Sequence, residues 1–242
     1  MFIDPMRKAL ILALLFLLST FAAGQSSSPR LEPPEELPEK VPPIISFTLS
    51  FPESSPPFYN IAIESSGRAE YKSTPKPNNI GDPYLLKFVA SEPTCTRLFD
   101  LARQVHFFQG NFDYTKSRVA YTGTKTLVFK NAKEEHETSY NWSANPQIQE
   151  ITTLFENIED TIELGRQLEN KYRYDKLGVD AVLKTLEQEA KGNHLGEIQA
   201  IQPILTRIAK DPGMMNISRR RAEFLLTKIP TGVAIAAGTG NQ

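Results

Sequence analysis

The chain has 242 residues, of which 40% are hydrophobic and 23% charged, a composition typical of a globular protein with one or two domains. Its formal net charge of −1 excludes a global electrostatic attraction to nucleic acid or to an anionic membrane. Cys95 is the only cysteine, so no intramolecular disulfide can form and the fold must depend on its core.

The first 24 residues have the pattern of a signal peptide. Arg7 and Lys8 precede the short apolar run ALILALLFLLSTF, and small residues follow it up to Gln25. We therefore expect cleavage after Gly24 and an exported protein, either periplasmic or extracellular. The alternative is an uncleaved membrane anchor, but the apolar run is short for a transmembrane helix. Gln25 stands where a lipoprotein would need a cysteine, which argues against a lipid anchor.

Residues 25–43 (QSSSPRLEPPEELPEKVPP) are rich in proline and show no apolar periodicity. Nine of the 18 prolines of the chain lie between Pro29 and Pro57. This composition predicts a disordered or polyproline-like tether, because it has too few apolar side chains to build a core. A proline-rich ligand for another domain is the alternative interpretation.

Apolar and polar residues alternate from Ile44 onwards, as they do in half-buried strands. The stretch IISFTLSF places Ile45, Phe47, Leu49 and Phe51 on one face. Further strands are predicted at 58–64 and 68–72, joined by SSG with Gly67 at a positive φ, at 84–91, and in a second hairpin with the arms TKTLVFKN and EHETSYNW.

A helix is predicted over 91–108, between the two hairpin regions. Ser91 is expected to cap it, and Pro93 suits its first turn. Its apolar stripe consists of Leu98, Leu101, Ala102 and Val105.

The chain becomes helical after the second hairpin. Asn145 is expected to cap a helix over 145–169 that has Pro146 at its first position. The apolar stripe of this helix consists of Ile148, Ile151, Phe155, Ile158 and Ile162. Three further helical segments are predicted at about 177–191, 195–210 and 216–229, and Pro203 is expected to kink or divide the middle one.

These elements predict an α+β fold, in which a small antiparallel sheet with a packed helix is followed by a helical C-terminal segment. The two folded parts are expected to pack together. The predicted organisation is a signal peptide (1–24), a proline-rich disordered tether (25–43), an α+β domain (44–165), a helical segment (166–230) and a flexible tail (231–242).

The stretches ISFTLSF and YNIAIESSGRAEY are followed by the helix LFDLARQVHFF, and then by TKTLVFKN, YNW and a closing helix. This order, over about 44–165, resembles an exported bacterial domain family of unknown function. Members of such a family often have a cysteine-bearing loop after the first strand, whereas PESSPPF (52–58) has no cysteine here. The resemblance implies no catalytic residue, and the helical segment lies outside it.

The sequence predicts no catalytic residue and no cofactor. His106, His136 and His194 have no partner at a recognised zinc-binding spacing. Cys95 and His106 would share one helix face, but about 16 Å of helix would separate them, too far for direct proton transfer. No phosphate loop, nucleophile elbow or dinucleotide fingerprint occurs.

Four carboxylates, Glu156, Glu159, Asp160 and Glu163, fall within one sector of the predicted helix, next to its apolar stripe. A solvated acidic face is the favoured interpretation, because helical spacing alone seldom gathers the roughly six to eight oxygens that calcium needs. A metal site formed by Glu156, Asp160 and Glu163 is the alternative.

The stretch NISRRRAEFLL contains three consecutive arginines, which raises the question of an anion-binding site. On a helix the three point in directions about 100° apart, whereas nucleic acid requires a coherent basic face. Arg219 and Arg220 are predicted to be solvated. Arg221 falls on the apolar side and is predicted to form a structural ion pair, worth about 3–5 kcal/mol if the pair is buried. Its partner is expected from the acidic stretch 146–170, with Asp180 and Asp211 as alternatives.

These observations favour an exported, non-catalytic protein that binds a protein or another envelope component. A hydrolase with a carboxylate site centred on Glu156, Asp160 and Glu163 is the alternative. Neither nucleic acid nor, after signal removal, a stable membrane span is expected. An enzyme should bring carboxylates together in a pocket, whereas a binding module should show an exposed apolar patch or an open sheet edge.

Overall fold

A computed structural model describes residues 41–74 and 83–230. Within these ranges the chain has an α+β fold with six strands and five α-helices, as the sequence predicts. The predicted signal peptide and tail lie outside the described residues, as does the tether except for 41–43. The carbonyl of Pro43 accepts a hydrogen bond from the N–H of Ser65 at 2.8 Å, so this end of the tether already contacts the fold.

The strands form one sheet: β1 (Ile44–Ser50), β2 (Phe58–Glu64), β3 (Arg68–Thr74), β4 (Tyr84–Val89), β5 (Thr124–Lys130) and β6 (Glu135–Tyr140). Every neighbouring pair is antiparallel, in the order β4-β3-β2-β1-β5-β6. The predicted alternation is confirmed, since Ile45 and Phe47 are fully buried and Ser46 between them is partly exposed. Gly67 has a φ of +89° in the β2–β3 turn, also as predicted.

The helices are α1 (Glu92–Gln104), α2 (Pro146–Tyr174), α3 (Val179–Gly192), α4 (Gln202–Lys210) and α5 (Asn216–Leu226). The predicted cap of α2 is confirmed, because the Asn145 side chain accepts the N–H groups of Gln147 and Ile148 at 3.0 Å. The segment predicted over 195–210 is divided into a short 3₁₀ turn, Ile198–Ile201, and α4, which has Pro203 in its first turn.

α1 ends earlier than its sequence pattern predicts. The predicted helix continues to 108, but His106, Phe107 and Phe108 all have positive φ, at 51°, 53° and 71°. Phe108 is fully buried, and the Phe107 ring stacks on Phe129 with 4.3 Å between ring centroids. Packing of these two rings against the sheet therefore determines where the chain leaves the helix.

Two hydrophobic clusters hold the described residues together, and α2 contributes to both. The first lies between one face of the sheet and the helices α1 and α2, where Phe155 stacks on Phe47 at 5.2 Å. The second joins the end of α2 to α3, α4 and α5. α2 continues without a break through the predicted boundary between residues 165 and 166.

Candidate functional site

A row of mostly polar side chains crosses the covered face of the sheet near the end of β1. Its members pair in register from one strand to the next, so they lie side by side on that face. All are buried or partly buried. We call the following six residues the polar row: Tyr84, Ser73, Tyr59, Leu49, Lys125 and Tyr140.

α2 passes over the polar row from β6 towards β3. The Thr152 hydroxyl lies 2.6 Å from the hydroxyl of Tyr140, and three turns later the Glu163 carboxylate accepts a hydrogen bond from Ser73 at 3.1 Å. The four carboxylates of the predicted acidic face belong to this part of α2. Their side of the helix therefore adjoins the sheet and does not face solvent alone.

Glu163 is buried in a hydrogen-bonded network, so the prediction of a fully solvated acidic face is wrong at this residue. One carboxylate oxygen accepts the Tyr71 hydroxyl at 2.6 Å and the Ser73 hydroxyl at 3.1 Å. The other oxygen pairs with the Arg166 guanidinium at 2.6 Å. Burial and the negative charge of Glu163 raise the pKa of Tyr71 well above its usual value, which keeps this phenol a donor. The network fixes α2 to β3.

Glu156 is the first of the four carboxylates along α2, and its negative charge is compensated by the positive charge of Lys125. Lys125 is buried, and its ammonium donates to the Thr122 hydroxyl at 3.1 Å and to the Asn141 carbonyl at 3.3 Å. Burial lowers the pKa of Lys125, and the charge of Glu156 opposes this shift. Burial likewise raises the pKa of Glu156, and Lys125 opposes that shift.

Among the four carboxylates of this part of α2, Glu159 has the pKa that is raised furthest. Partial burial, followed by the negative charges of Asp160, Glu163 and Glu156, raises its pKa from 4.5 to about 8. Its carboxyl group therefore changes protonation near neutral pH.

We expect Glu159 to make the protein less stable as the pH rises from about 4.5 to about 8. Its pKa is higher in the folded than in the unfolded chain, so across this window the folded state holds a proton that the unfolded state has released, and the free energy of unfolding falls as the pH rises. Glu156 and Asp160 act in the same direction, whereas Asp175 and Asp211, whose pKa values are lowered by hydrogen bonds to lysines, titrate below it. With solvent screening, the fall in unfolding free energy should be about 1–2 kcal/mol.

Urea denaturation of the parent and of Glu159→Gln at both ends of this pH window measures the effect. The variant should lose most of the fall in stability, because its amide does not titrate. A flat profile in the parent, or an equal fall in the variant, would contradict the assignment of the raised pKa to Glu159.

The three residues considered as a metal site do not come together. Glu163 directs both oxygens into its network, Glu156 faces the charge of Lys125, and Asp160 is exposed. Across the described ranges, no group of three or more His, Cys, Asp or Glu side chains is placed to hold a metal ion.

Cys95 and His106 do not form a dyad. Cys95 is buried within α1, and burial together with the charge of Glu197 raises its pKa to about 11, the opposite of an activated thiolate. His106 is exposed and lies beyond the end of α1.

Glu197 is a buried carboxylate that the sequence analysis does not single out, because it is a single acidic residue within the helical segment predicted over 195–210. Its backbone is left-handed, with φ 51°. Its carboxylate accepts the Ser91 N–H at 2.6 Å, the Ser91 hydroxyl at 2.9 Å and the Gln199 side chain. The prediction that Ser91 caps α1 is therefore wrong for its side chain, which makes no capping hydrogen bond. Glu197 instead places a negative charge at the start of that helix.

The three consecutive arginines have three different environments. Arg221, with 18% of its side chain exposed, binds Asp180 at 2.5 Å and Glu187 at 3.0 Å. Both partners lie on α3, so the acidic stretch 146–170 does not supply them and the alternative, Asp180, does. Arg219 donates to the carbonyl of Ala209 at 3.3 Å, and Arg220 is exposed.

The two edges of the sheet differ in the charge of their side chains. β6 (EHETSY) carries Glu135 and Glu137, both exposed. β4 (YLLKFV) carries one charged residue, Lys87. Charged side chains protect an edge strand from pairing with another chain, so β4 is the less protected edge.

Part of the β4 backbone faces away from the sheet. The Ala90 N–H donates to the Gly67 carbonyl at 2.8 Å, which fixes the hydrogen-bonded side of this strand pair. Since these directions alternate along a strand, Leu85 and Lys87 turn their N–H and C=O groups outwards. The Val89 carbonyl also points outwards and accepts the Gln199 side chain at 3.0 Å. No strand within the described ranges pairs with this edge.

A pocket of about 340 Å³ with mainly apolar walls lies over the adjoining ends of β2, β3 and β4 and borders this edge at Leu85. Two exposed apolar side chains, Phe58 and Leu85, form part of its wall. Lys72, Ser73, Thr74, Pro83 and Tyr84 complete the lining.

Neither a known protein-family model nor a curated protein sequence matches the chain. The likeness in layout to an exported bacterial domain family thus stays a resemblance, and functional interpretation depends on the chain's own residues. None of the helices over 41–74 and 83–230 is long and apolar enough to cross a membrane.

Proposed function

We propose that the chain is an exported, non-catalytic binding protein that recognises an extended peptide of a partner protein along β4. The observation that carries this proposal is an outward-facing, weakly charged strand edge with an apolar pocket beside it. In recognition by strand addition, main-chain hydrogen bonds supply affinity and side-chain pockets supply specificity. The outward N–H and C=O groups of Leu85 and Lys87 suit a short added strand.

The side chains of the edge define the peptide that fits it. Leu85 and Lys87 share the uncovered face of the sheet, and Leu85 borders the apolar pocket. A partner strand would place an apolar residue against Leu85 and, two positions along, an acidic residue against Lys87. Such cross-strand pairs contribute about 0.2–1 kcal/mol each.

Selection from a displayed library of short random peptides tests the proposal. We expect the selected peptides to have alternating polarity with an apolar and an acidic residue two positions apart. Leu85→Lys should weaken their binding at least about tenfold, or 1.4 kcal/mol, because it removes an apolar contact and adds a charge to the edge. Fluorescence anisotropy with a labelled selected peptide measures the affinity.

Val128→Lys is the matched control, since Val128 lies on the same uncovered face but on β5. It should leave the affinity unchanged. Peptides that bind Leu85→Lys as well as the parent, or that lose affinity equally with Val128→Lys, would overturn the proposed site. Selection of proline-rich peptides would also do so, because proline lacks the N–H that strand addition needs.

Export forms part of the proposal, supported by Arg7, Lys8 and the apolar run that follows them. When the chain is expressed with its native N-terminus in a bacterium, N-terminal sequencing of the exported protein should begin near Gln25. Recovery of the intact chain from the membrane fraction would instead support the uncleaved anchor.

A hydrolase is the second candidate function, and the raised pKa of Glu159 is the observation that favours it. A carboxyl group that titrates near neutral pH suits a general acid or base. Glu163, a member of the predicted carboxylate site, already uses both oxygens in structural hydrogen bonds. Glu159→Gln should abolish a hydrolytic activity of this site and leave peptide binding at β4 unchanged, so the two functions can be separated.

A further inference from the structure

Exposed apolar side chains gather at one end of the helical part of the chain. Among the described residues nine large hydrophobic side chains are exposed, and four of them belong to two turns at this end. Tyr174 and Leu177, with 73% and 77% exposed, lie at the end of α2 and in the α2–α3 turn. Met215 and Ile217 lie at the start of α5. We call these four residues the helical tip.

Side-chain contacts bring the two turns together. Lys176, next to Leu177, pairs with Asp211 of the α4–α5 turn at 2.9 Å. The Ser218 hydroxyl, next to Ile217, donates to Asp180 near the start of α3 at 3.1 Å. These contacts place the two turns next to each other, although they lie far apart in sequence.

The two stretches that contain the helical tip carry a net positive charge, although the whole chain is almost neutral. Residues 171–178 and 210–220 contain six Lys and Arg residues and two Asp residues. Both aspartates already have cationic partners, Lys171 for Asp175 and Lys176 for Asp211. Three exposed cations remain around the apolar side chains: Arg173, Lys210 and Arg220.

We propose that the helical tip docks reversibly onto an anionic lipid surface. Its apolar side chains would enter the interface between headgroups and acyl chains, and the surrounding cations would contact the headgroups. The shape of the site favours lipid over a protein partner. Tyr174, at the end of α2, and Leu177, in the α2–α3 turn, have most of their surface exposed, whereas Phe58 and Leu85 line a pocket that could accept a side chain.

The expected affinity for an anionic lipid surface depends on the few cationic side chains at the helical tip. Each Lys or Arg near an anionic surface contributes about 1 kcal/mol, equivalent to about fivefold in affinity. Arg173→Gln combined with Arg220→Gln should therefore weaken binding about 25-fold. High salt should weaken binding of the parent as well, because it screens exposed charges. No membrane span is implied, in keeping with the lengths and composition of the described helices.

A fluorophore at the helical tip reports docking locally. Leu177→Cys can be labelled selectively with a polarity-sensitive dye, because Cys95, the natural cysteine, is buried. With vesicles of phosphatidylglycerol and phosphatidylcholine, we expect a blue shift and increased emission. The same dye at Thr185→Cys, an exposed position on α3, is the matched control and should not respond. The local readout excludes a signal from residues 1–24.

Each outcome decides the proposal. A response at position 177 that needs phosphatidylglycerol and weakens in the double arginine variant supports it. Equal responses with phosphatidylcholine alone, equal responses at positions 177 and 185, or no response would overturn it. A response to soluble polyglutamate at least as strong as that to vesicles would assign the surface to an acidic protein. A response that grows with protein concentration in the absence of lipid would assign it to a second copy of the chain.

Discussion

Replacement of Glu163 with alanine is expected to lower the free energy of unfolding by about 3 kcal/mol. The Glu163 carboxylate is buried and accepts the hydroxyls of Tyr71 and Ser73. Without it, two buried hydroxyls lose their acceptor, and each such group costs about 1–3 kcal/mol. Arg166 adds little to the loss, because 47% of its side chain is exposed and can be hydrated. Urea denaturation followed by circular dichroism measures the change.

Glu137→Ala is the matched control, because it removes an exposed glutamate from β6 and should change the stability by no more than about 0.5 kcal/mol. Glu163→Gln keeps the volume and one acceptor oxygen, so it should cost less than Glu163→Ala. If Glu163→Ala were as mild as Glu137→Ala, the network would not stabilise the fold. Glu163 would then be free to act in the hydrolase site.

Replacement of Arg221 with alanine is expected to cost about 2 kcal/mol. Its guanidinium makes two hydrogen bonds to carboxylates on α3, and bonds of this charged type contribute about 1.5–3 kcal/mol. The value is lower than that of a fully buried pair, because Arg221, Asp180 and Glu187 keep 18%, 26% and 24% of their side-chain surface exposed. Denaturant melts of the three single alanine variants of the arginine run measure the difference.

Arg219→Ala and Arg220→Ala serve as controls within the same helix and should each stay within about 0.5 kcal/mol. Arg221→Lys should recover only part of the stability, since an ammonium cannot reproduce the forked geometry of a guanidinium. Equal small losses at all three positions, with a shared loss of binding to a polyanion, would show that the run is a ligand-binding surface. In that case the ion pairs of Arg221 would not hold α5 against α3.

Local patterns were enough to predict most of the elements. The alternation in β1 predicts Ile45 and Phe47 as buried, because a strand presents every second side chain to the same face. Asn145 and Pro146 predict the start of α2, because both act on the first helical turn. These signals act over a few residues and need no knowledge of neighbours in space.

The candidate sites were harder to predict, because they depend on contacts between distant segments. Glu163 meets Tyr71 across 92 positions of sequence, and Glu197 meets Ser91 across 106. Nothing in the residues around either glutamate distinguishes it from a solvated one. The partner of Arg221 was ambiguous for the same reason, since charge balance indicates which sign is needed but not which helix supplies it.

The sequence by itself determined the α+β class, the strand faces, the start of α2 and the division of the helical segment before Pro203, because periodicity and backbone restrictions are local. Tertiary structure alone decided where α1 ends, since burial of Phe108 and stacking of Phe107 on Phe129 outweigh continued helical hydrogen bonding. It also decided how α2 lies across the sheet. That crossing places Glu163 in the interior and leaves Asp160 in solvent, although both belong to the same helical sector.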